Sequence, residues 1–283
     1  YFAAAKQGRL RLSMVKRTIT GAAITLITYF AVAYSHIPVV ILCATGLLSA
    51  LAVYEIYAAA GMTENLILLL GSVAVSMILA ILPMPNYSMI LTIVFPIAVA
   101  FFVFMMVWQN RCRIDKFYKV AGIALLVVFL FKAIPQLRLT ENGIYYLVGA
   151  ITLCFATDVA AYLIGSRFGR HKLMPKVSPN KTVEGSLAGI AASILVMLLL
   201  GCWLEWNCIA KISWTQMILY AATASVVGQF GDLAMSAVKR ICGIKDFGNL
   251  LPGHGGILDR FDSHLFCVAY TLLYCSLTGG FIR

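Results

Sequence analysis

Glu184-Gly-Ser-Leu-Ala-Gly-Ile-Ala-Ala-Ser-Ile-Leu-Val-Met-Leu-Leu-Leu-Gly-Cys-Trp-Leu204 carries a single charged side chain, at its first position. A bilayer core about 30 Å thick is crossed by roughly 20 helical residues, and within lipid a helix pairs all of its own backbone groups. Comparable apolar runs occupy about 18–35, 38–59, 66–83, 88–108, 117–134, 143–165, 215–238 and 263–282. The pattern predicts an all-α integral membrane protein, a polytopic bundle of about nine transmembrane helices. The second and third spans are expected to join through a tight turn at Gly61-Met-Thr-Glu-Asn65. In 283 residues with short loops there is no room for a separate soluble domain, so chemistry has to be built from helix ends and loops.

Composition agrees, with 61% hydrophobic and 12% charged residues. A net charge of +11 would suit nucleic acid in a soluble protein; in a membrane protein Lys and Arg mark the cytoplasmic side and anionic headgroups. Their distribution favours membrane lipids and no nucleic acid. With the N-terminus cytoplasmic, five fall in residues 1–17, four in 111–119, five in 167–181 and four in 239–260, leaving Lys132, Arg138, Lys211 and Arg283 on the other side. An odd helix count then puts the C-terminus outside, where Trp203, Trp206 and Trp214 flank the seventh and eighth spans at the depth indoles favour. The expected location is the cell's inner (plasma) membrane, with the basic loops facing the cytoplasm. The eight cysteines show no Cys-x-x-Cys or zinc-like spacing and read as small buried hydrophobes without disulfides. Met14-Val-Lys-Arg looks like a natural start, so residues 1–13 read as a vector-derived or disordered leader. Residues 14–135 hold about five helices and 136–283 about four, with the chemistry in the second part. Abundant Gly and Ala suit packing within one chain or between the two chains of a homodimer.

The first five spans contain one acidic residue, Glu55, and little else able to do chemistry. Asp158 lies in the sixth span and Asp232 in the eighth. A carboxylate at membrane depth costs several kcal/mol unless it is paired, protonated or wet, which makes each a candidate functional group. Both are also near inner helix ends, where a packing role is the plainer reading. Asp232, Ser236, Lys239 and Arg240 recur at i, i+4, i+7 and i+8, one helical face of mixed sign. Such a face can hold a divalent metal with phosphates around it, or simply be an internal salt-bridge face.

Beyond it come Lys245-Asp246 and then Leu251-Pro-Gly-His254-Gly255-Gly256-Ile-Leu-Asp259-Arg260-Phe-Asp262. The glycines let backbone N–H groups approach an anion, His254 and Lys245 can donate to phosphate, and Asp259 and Asp262 can present carboxylates to a metal. A second basic cluster, Arg167, Arg170, His171, Lys172 and Lys176, leads into Ser178-Pro-Asn180-Lys181-Thr182-Val-Glu184-Gly185. Ser178 as N-cap with Pro179 at the first helical position predicts a helix start suited to an anion; ordinary positive-inside charge is the alternative. No Walker sequence, Gly-x-Ser-x-Gly elbow or His-Glu-x-x-His is present.

The stretch from Ser236 to Asp262 resembles the signature of the phosphatidate cytidylyltransferases, or CDP-diacylglycerol synthases. That signature reads Ser-x-hydrophobic-Lys-Arg, four residues, Lys-Asp-x-small, two residues, Leu-Pro-x-His-Gly-Gly-hydrophobic-x-Asp-Arg-hydrophobic-Asp, and every fixed position is met. Ser178-Pro-x-Lys181-Thr182-x-Glu184-Gly185 resembles the family's second motif. The resemblance implies that CTP and phosphatidate react to CDP-diacylglycerol and pyrophosphate, with Mg²⁺ and, in part of the family, K⁺. It implies Asp232 and Asp259 as metal ligands with Asp262 and Asp158 in support. Lys239, Arg240 and Lys245 would neutralise phosphates, His254 with Gly255 and Gly256 would cradle the triphosphate, and Asp246 completes the catalytic set. Ser178, Asn180, Lys181, Thr182, Glu184, Arg167, Ser236 and Arg260 join the two glycines as substrate-binding residues.

Two other classes fit the composition. A polyprenol or diacylglycerol kinase would also set carboxylates at a membrane surface, but needs a base for its hydroxyl acceptor. An ion-coupled transporter would use Asp158 and Asp232 as a pathway, which requires polar residues continuing toward the outer side.

Overall fold

The structure, a computed structural model of the chain, describes residues 33–64, 66–82, 84, 86–108, 116–248, 250 and 255–283. Among the described residues the helices are α1 (Pro38–Ala59), α2 (Leu66–Ile81), α3 (Tyr87–Trp108), α4 (Lys116–Arg138), α5 (Gly143–Phe168), α6 (Val183–Trp206), α7 (Trp214–Ile241) and α8 (Leu258–Thr278). They coincide with the second to ninth expected spans; the first lies almost wholly outside the described residues. Six of them, α1 and α3 to α7, are long and apolar enough to cross a membrane. The 16 residues of α2 reach only about 24 Å, and α8 opens on Asp259, Arg260 and Asp262, which lowers its apolar character. The chain is a mostly helical membrane protein.

The fold is not purely α-helical. Between α5 and α6 an antiparallel pair, β1 (Lys172–Met174) and β2 (Ser178–Thr182), forms a small hairpin with Lys172 opposite Thr182 and Met174 opposite Ser178. Nor does Ser178 cap a helix, because Thr182 does: its hydroxyl accepts from the Gly185 N–H at 3.2 Å. The fixed φ of Pro179 suits an extended strand as well as a first helical turn, and its missing N–H is tolerated on a two-stranded ribbon. Tertiary contacts decide between the two. The Glu184 carboxylate accepts the backbone N–H of Arg170 at 3.1 Å and of His171 at 3.2 Å and meets His171 Nδ1 at 2.7 Å. The Val183 N–H donates to the His171 carbonyl at 2.9 Å, so the hairpin is closed at its base.

The turn expected between the second and third spans is present. The Ala60 N–H returns to the Ile56 carbonyl and the Met62 N–H to the Tyr57 carbonyl, while Gly61 takes φ +66°, the left-handed ending common at helix C-termini. At the opposite end of the bundle, Lys211 and Arg283 exchange two backbone hydrogen bonds, of 3.1 and 2.8 Å, around the Ile212–Ile282 bridge. This gathers the α6–α7 connection, Trp203, Trp206, Trp214 and the segment after α8 at one end. The hairpin, the C-terminus of α7 and the N-terminus of α8 lie at the other.

Inside, Phe266 of α8 meets Phe102 of α3 at 5.5 Å and Phe230 of α7 at 5.8 Å, edge on. Helices α5 and α6 approach closely because Gly185 has no side chain: a Cβ there would sit 2.6 Å from the Ala161 carbonyl, the small-residue contact that serves helix packing in lipid. Lys132, 2% exposed, donates to the carbonyls of Leu79, Ala80 and Leu82. A cation on the last carbonyls of α2 satisfies both the buried charge and the negative helix end. No disulfide joins the described cysteines.

Candidate active site

Helix α7 positions the first site residues. At 1.5 Å per residue, Asp232 lies about 27 Å along the helix from Trp214, near the far edge of a hydrocarbon core of about 30 Å. Ser236, one turn on, donates to Asp232 Oδ1 at 3.3 Å. Gly231 precedes it for a steric reason: a Cβ would lie 2.7 Å from the Phe266 ring and 2.9 Å from the Asp262 carbonyl. Its absence lets α8 press against α7 beside Asp232. Asp262 consequently shares an electrostatic field with Asp232, Lys239 and Asp158, and Asp158 of α5 feels both Asp232 and Lys181. Carboxylates from three helices thus face one region.

Two lysines neutralise it. Lys181, carried by β2, forms an ion pair with Asp232. Lys239 donates to Asp259 Oδ1 at 2.9 Å and approaches Asp262 Oδ2 at 3.9 Å. Asp259 is buried, and its Oδ2 accepts the N–H groups of Phe247 at 2.9 Å and Gly256 at 3.0 Å. Gly255 makes that last bond reachable by adopting φ +85°, a conformation glycine enters without steric cost. The face expected on α7 therefore divides: Asp232 and Ser236 look to the hairpin, Lys239 to α8.

The remaining candidates are spread around this centre. Arg240 does not join the carboxylates; its Nε donates to the Val177 carbonyl at 3.3 Å and its Nη1 to the Ile244 carbonyl at 3.2 Å, fastening the hairpin to the end of α7. Lys245 and Asp246 are exposed on the loop, Arg260 on the first turn of α8, and Arg167 at the end of α5. Ser178 and Asn180 lie on β2, the Thr182 hydroxyl caps α6, and Glu184 closes the hairpin. His254 falls outside the described residues.

One residue at this end escaped the sequence reading. Glu55 of α1 is 1% exposed, and its carboxylate accepts the N–H groups of Ile257 and Leu258 at 2.8 Å each. The available signal was its isolation, since an unpartnered carboxylate in an apolar run is expensive; its partners, some 200 residues away, leave no local trace.

Mg²⁺ binds through one or two carboxylates and fills its other positions with phosphate oxygens and water. The donors here have that chemistry. Asp232 holds Lys181 through one oxygen and accepts from Ser236 on the other, and Asp259 holds Lys239 through one and two backbone N–H groups through the other. Asp158 and Asp262 lie alongside, and among the described residues no three His, Cys, Asp or Glu side chains converge as a self-sufficient ligand set. The arrangement can bring together two anions and a hard cation at a membrane edge.

The chain is 43% identical over 126 residues to the phosphatidate cytidylyltransferase of Staphylococcus saprophyticus, covering 44% of this chain and 47% of that protein. To that of Bacillus subtilis it is 37% identical over 170 residues, covering 60% and 62%, and to that of Staphylococcus aureus 44% over 128 residues, covering 44% and 47%. The matched stretches span about half to three-fifths of the length of these curated relatives. The model of the cytidylyltransferase family matches residues 15–278, a range that includes every residue of the site. The chain belongs to the cytidylyltransferase family.

Proposed function

We propose that the chain transfers the cytidylyl group of CTP to phosphatidate, forming CDP-diacylglycerol and pyrophosphate at the cytoplasmic face of the inner (plasma) membrane. The observation that carries this is the meeting of two cation–carboxylate pairs, Lys181 with Asp232 and Lys239 with Asp259, at one helix end. Ser236 of the longer motif donates to Asp232, the partner of Lys181 from the shorter one, which supports taking the two motifs as one site. The similarity to phosphatidate cytidylyltransferases supports the choice of substrates.

In the reaction a phosphate oxygen of phosphatidate attacks the α-phosphorus of CTP. A new phosphorus–oxygen bond forms as the bond from the α-phosphorus to the oxygen bridging the β-phosphorus breaks, and pyrophosphate leaves with that electron pair. The acceptor is already an anion, so neither a protein nucleophile nor a strong base is required. What the chain has to supply is positioning and charge.

Lys239, held between α7 and α8, and exposed Lys245 present cations to the triphosphate. The hairpin brings Lys181 to Asp232 and displays Lys172 and Lys176 with Arg167 and Arg170, all four exposed. That surface suits a phosphatidate headgroup drawn laterally from the leaflet. Tyr162 and Phe168, 74% and 65% exposed on the lower flank of α5, leave its acyl chains in lipid. Bound Mg²⁺, held by Asp232 and Asp259 with Asp158 and Asp262 beside them, would supply a Lewis acid for the phosphate oxygens, and K⁺ is the second cation of this reading.

The test is incorporation of labelled CTP by the purified protein in detergent, with phosphatidate and diacylglycerol as rival acceptors and with Mg²⁺ or a chelator. Lipid-linked label with phosphatidate and Mg²⁺ alone is expected. Product from diacylglycerol would overturn the reading.

A further inference from the structure

The amides that open α8 have no partner within the helix and form its positive end. Two of them, Ile257 and Leu258, are taken by Glu55, in charge-assisted hydrogen bonds of the strong kind. Both ends of the loop close on the same carboxylate. A Cβ at Gly248 would lie 2.9 Å from Glu55 Oε1, and one at Gly256 would lie 2.6 Å from Oε2. Gly256 is further held by its N–H bond to Asp259, so the end of the loop is fixed between one carboxylate from α1 and one from α8. Lys239 compensates Asp259. No ion pair reaches Glu55 among the described residues, and its charge is met by the loop amides themselves.

We infer that Glu55 is a positioning residue for the site: from outside both motifs it fixes the backbone of residues 255–258, and through it Asp259 and the loop bearing Lys245. The inference rests on reading that loop as the CTP-binding part of the site. It gives the N-terminal helices a role in nucleotide binding that their composition conceals.

The test is Glu55→Gln in the full chain, which keeps shape and one acceptor but turns an amide toward one of the two backbone N–H groups. Two readouts are taken, backbone hydrogen exchange over residues 245–262 and the kinetics with each substrate. Lys132→Met, a change at another buried polar contact of the N-terminal half, is the structural comparison. Exchange in the loop is expected to quicken about tenfold or more, and kcat/KM for CTP to fall roughly tenfold, as for loss of one charge-assisted hydrogen bond. The KM for phosphatidate stays within about twofold, and Lys132→Met reproduces neither change.

Unchanged exchange, or an activity loss that merely follows the amount of folded protein with KM for CTP constant, overturns the inference. Should the wild type use neither CTP nor phosphatidate, the proposed reaction fails, while faster loop exchange in Glu55→Gln still supports the anchoring. If Glu55→Gln does not fold, Gly248→Ala, which sets a methyl against the same carboxylate, is expected to give the same pattern, and a normal loop and CTP kinetics in that variant count against it.

Discussion

Helices α1 to α4 and helices α5 to α8 are built from similar apolar runs yet handle buried charge in opposite ways. In the first group Lys132 is spent on the carbonyls that end α2, a local and structural solution. In the second, Lys181, Lys239, Asp232 and Asp259 are paired across separate elements at one end of the bundle, with Asp158 and Asp262 close by. A charge that closes a helix end stabilises; charges gathered from several helices make a place for ligands. Glu55 is the exception, a carboxylate of the first group whose partners belong to the second.

Substitutions sharpen this contrast. The largest effect is expected from Lys239→Met, which leaves Asp259 buried without its cation: a loss of about 3–5 kcal/mol in stability, read by SDS titration in mixed micelles, together with loss of transfer activity. Asp259→Asn in the same background should recover part of the stability and none of the activity. Next is Asp232→Asn, with a fall in kcat of at least about 100-fold in protein that unfolds like wild type. An active Asp232→Asn enzyme would move the chemistry elsewhere. Gly185→Ala should cost about 1–3 kcal/mol by forcing α5 from α6, seen as a lower unfolding midpoint with a smaller decrease in turnover as the hairpin shifts. Lys132→Met comes last, at about 1 kcal/mol, with both KM values unchanged; altered KM for CTP would erase the distinction between the two halves.

The spans were readable because lipid allows few solutions: each long apolar run had to be a helix, and the described ones are. Their ends were less readable. The ninth span begins at Leu258 rather than near 263, because Asp259, Arg260 and Asp262 resemble a polar loop although acidic residues favour a helix N-terminus. Ser178-Pro179 satisfies a local rule for helix starts, and two things override it: Glu184 binds across the hairpin to Arg170 and His171, and Thr182 caps the helix instead. Within the site, helical spacing put Asp232 and Ser236 together. It also placed Arg240 on the same face, and there the prospect of backbone carbonyls at Val177 and Ile244 prevailed. Glu55 was visible as an oddity whose meaning depended on a fold that brings α1 to the start of α8.

The central claim, nucleotidyl transfer at the joint of α7, α8 and the hairpin, is tested most directly by the position of the label in CTP. With purified protein, phosphatidate and Mg²⁺, label in the α-phosphate is predicted to enter the lipid, and label in the γ-phosphate to leave as pyrophosphate in equal amount. Entry of the γ-label into lipid would contradict the account.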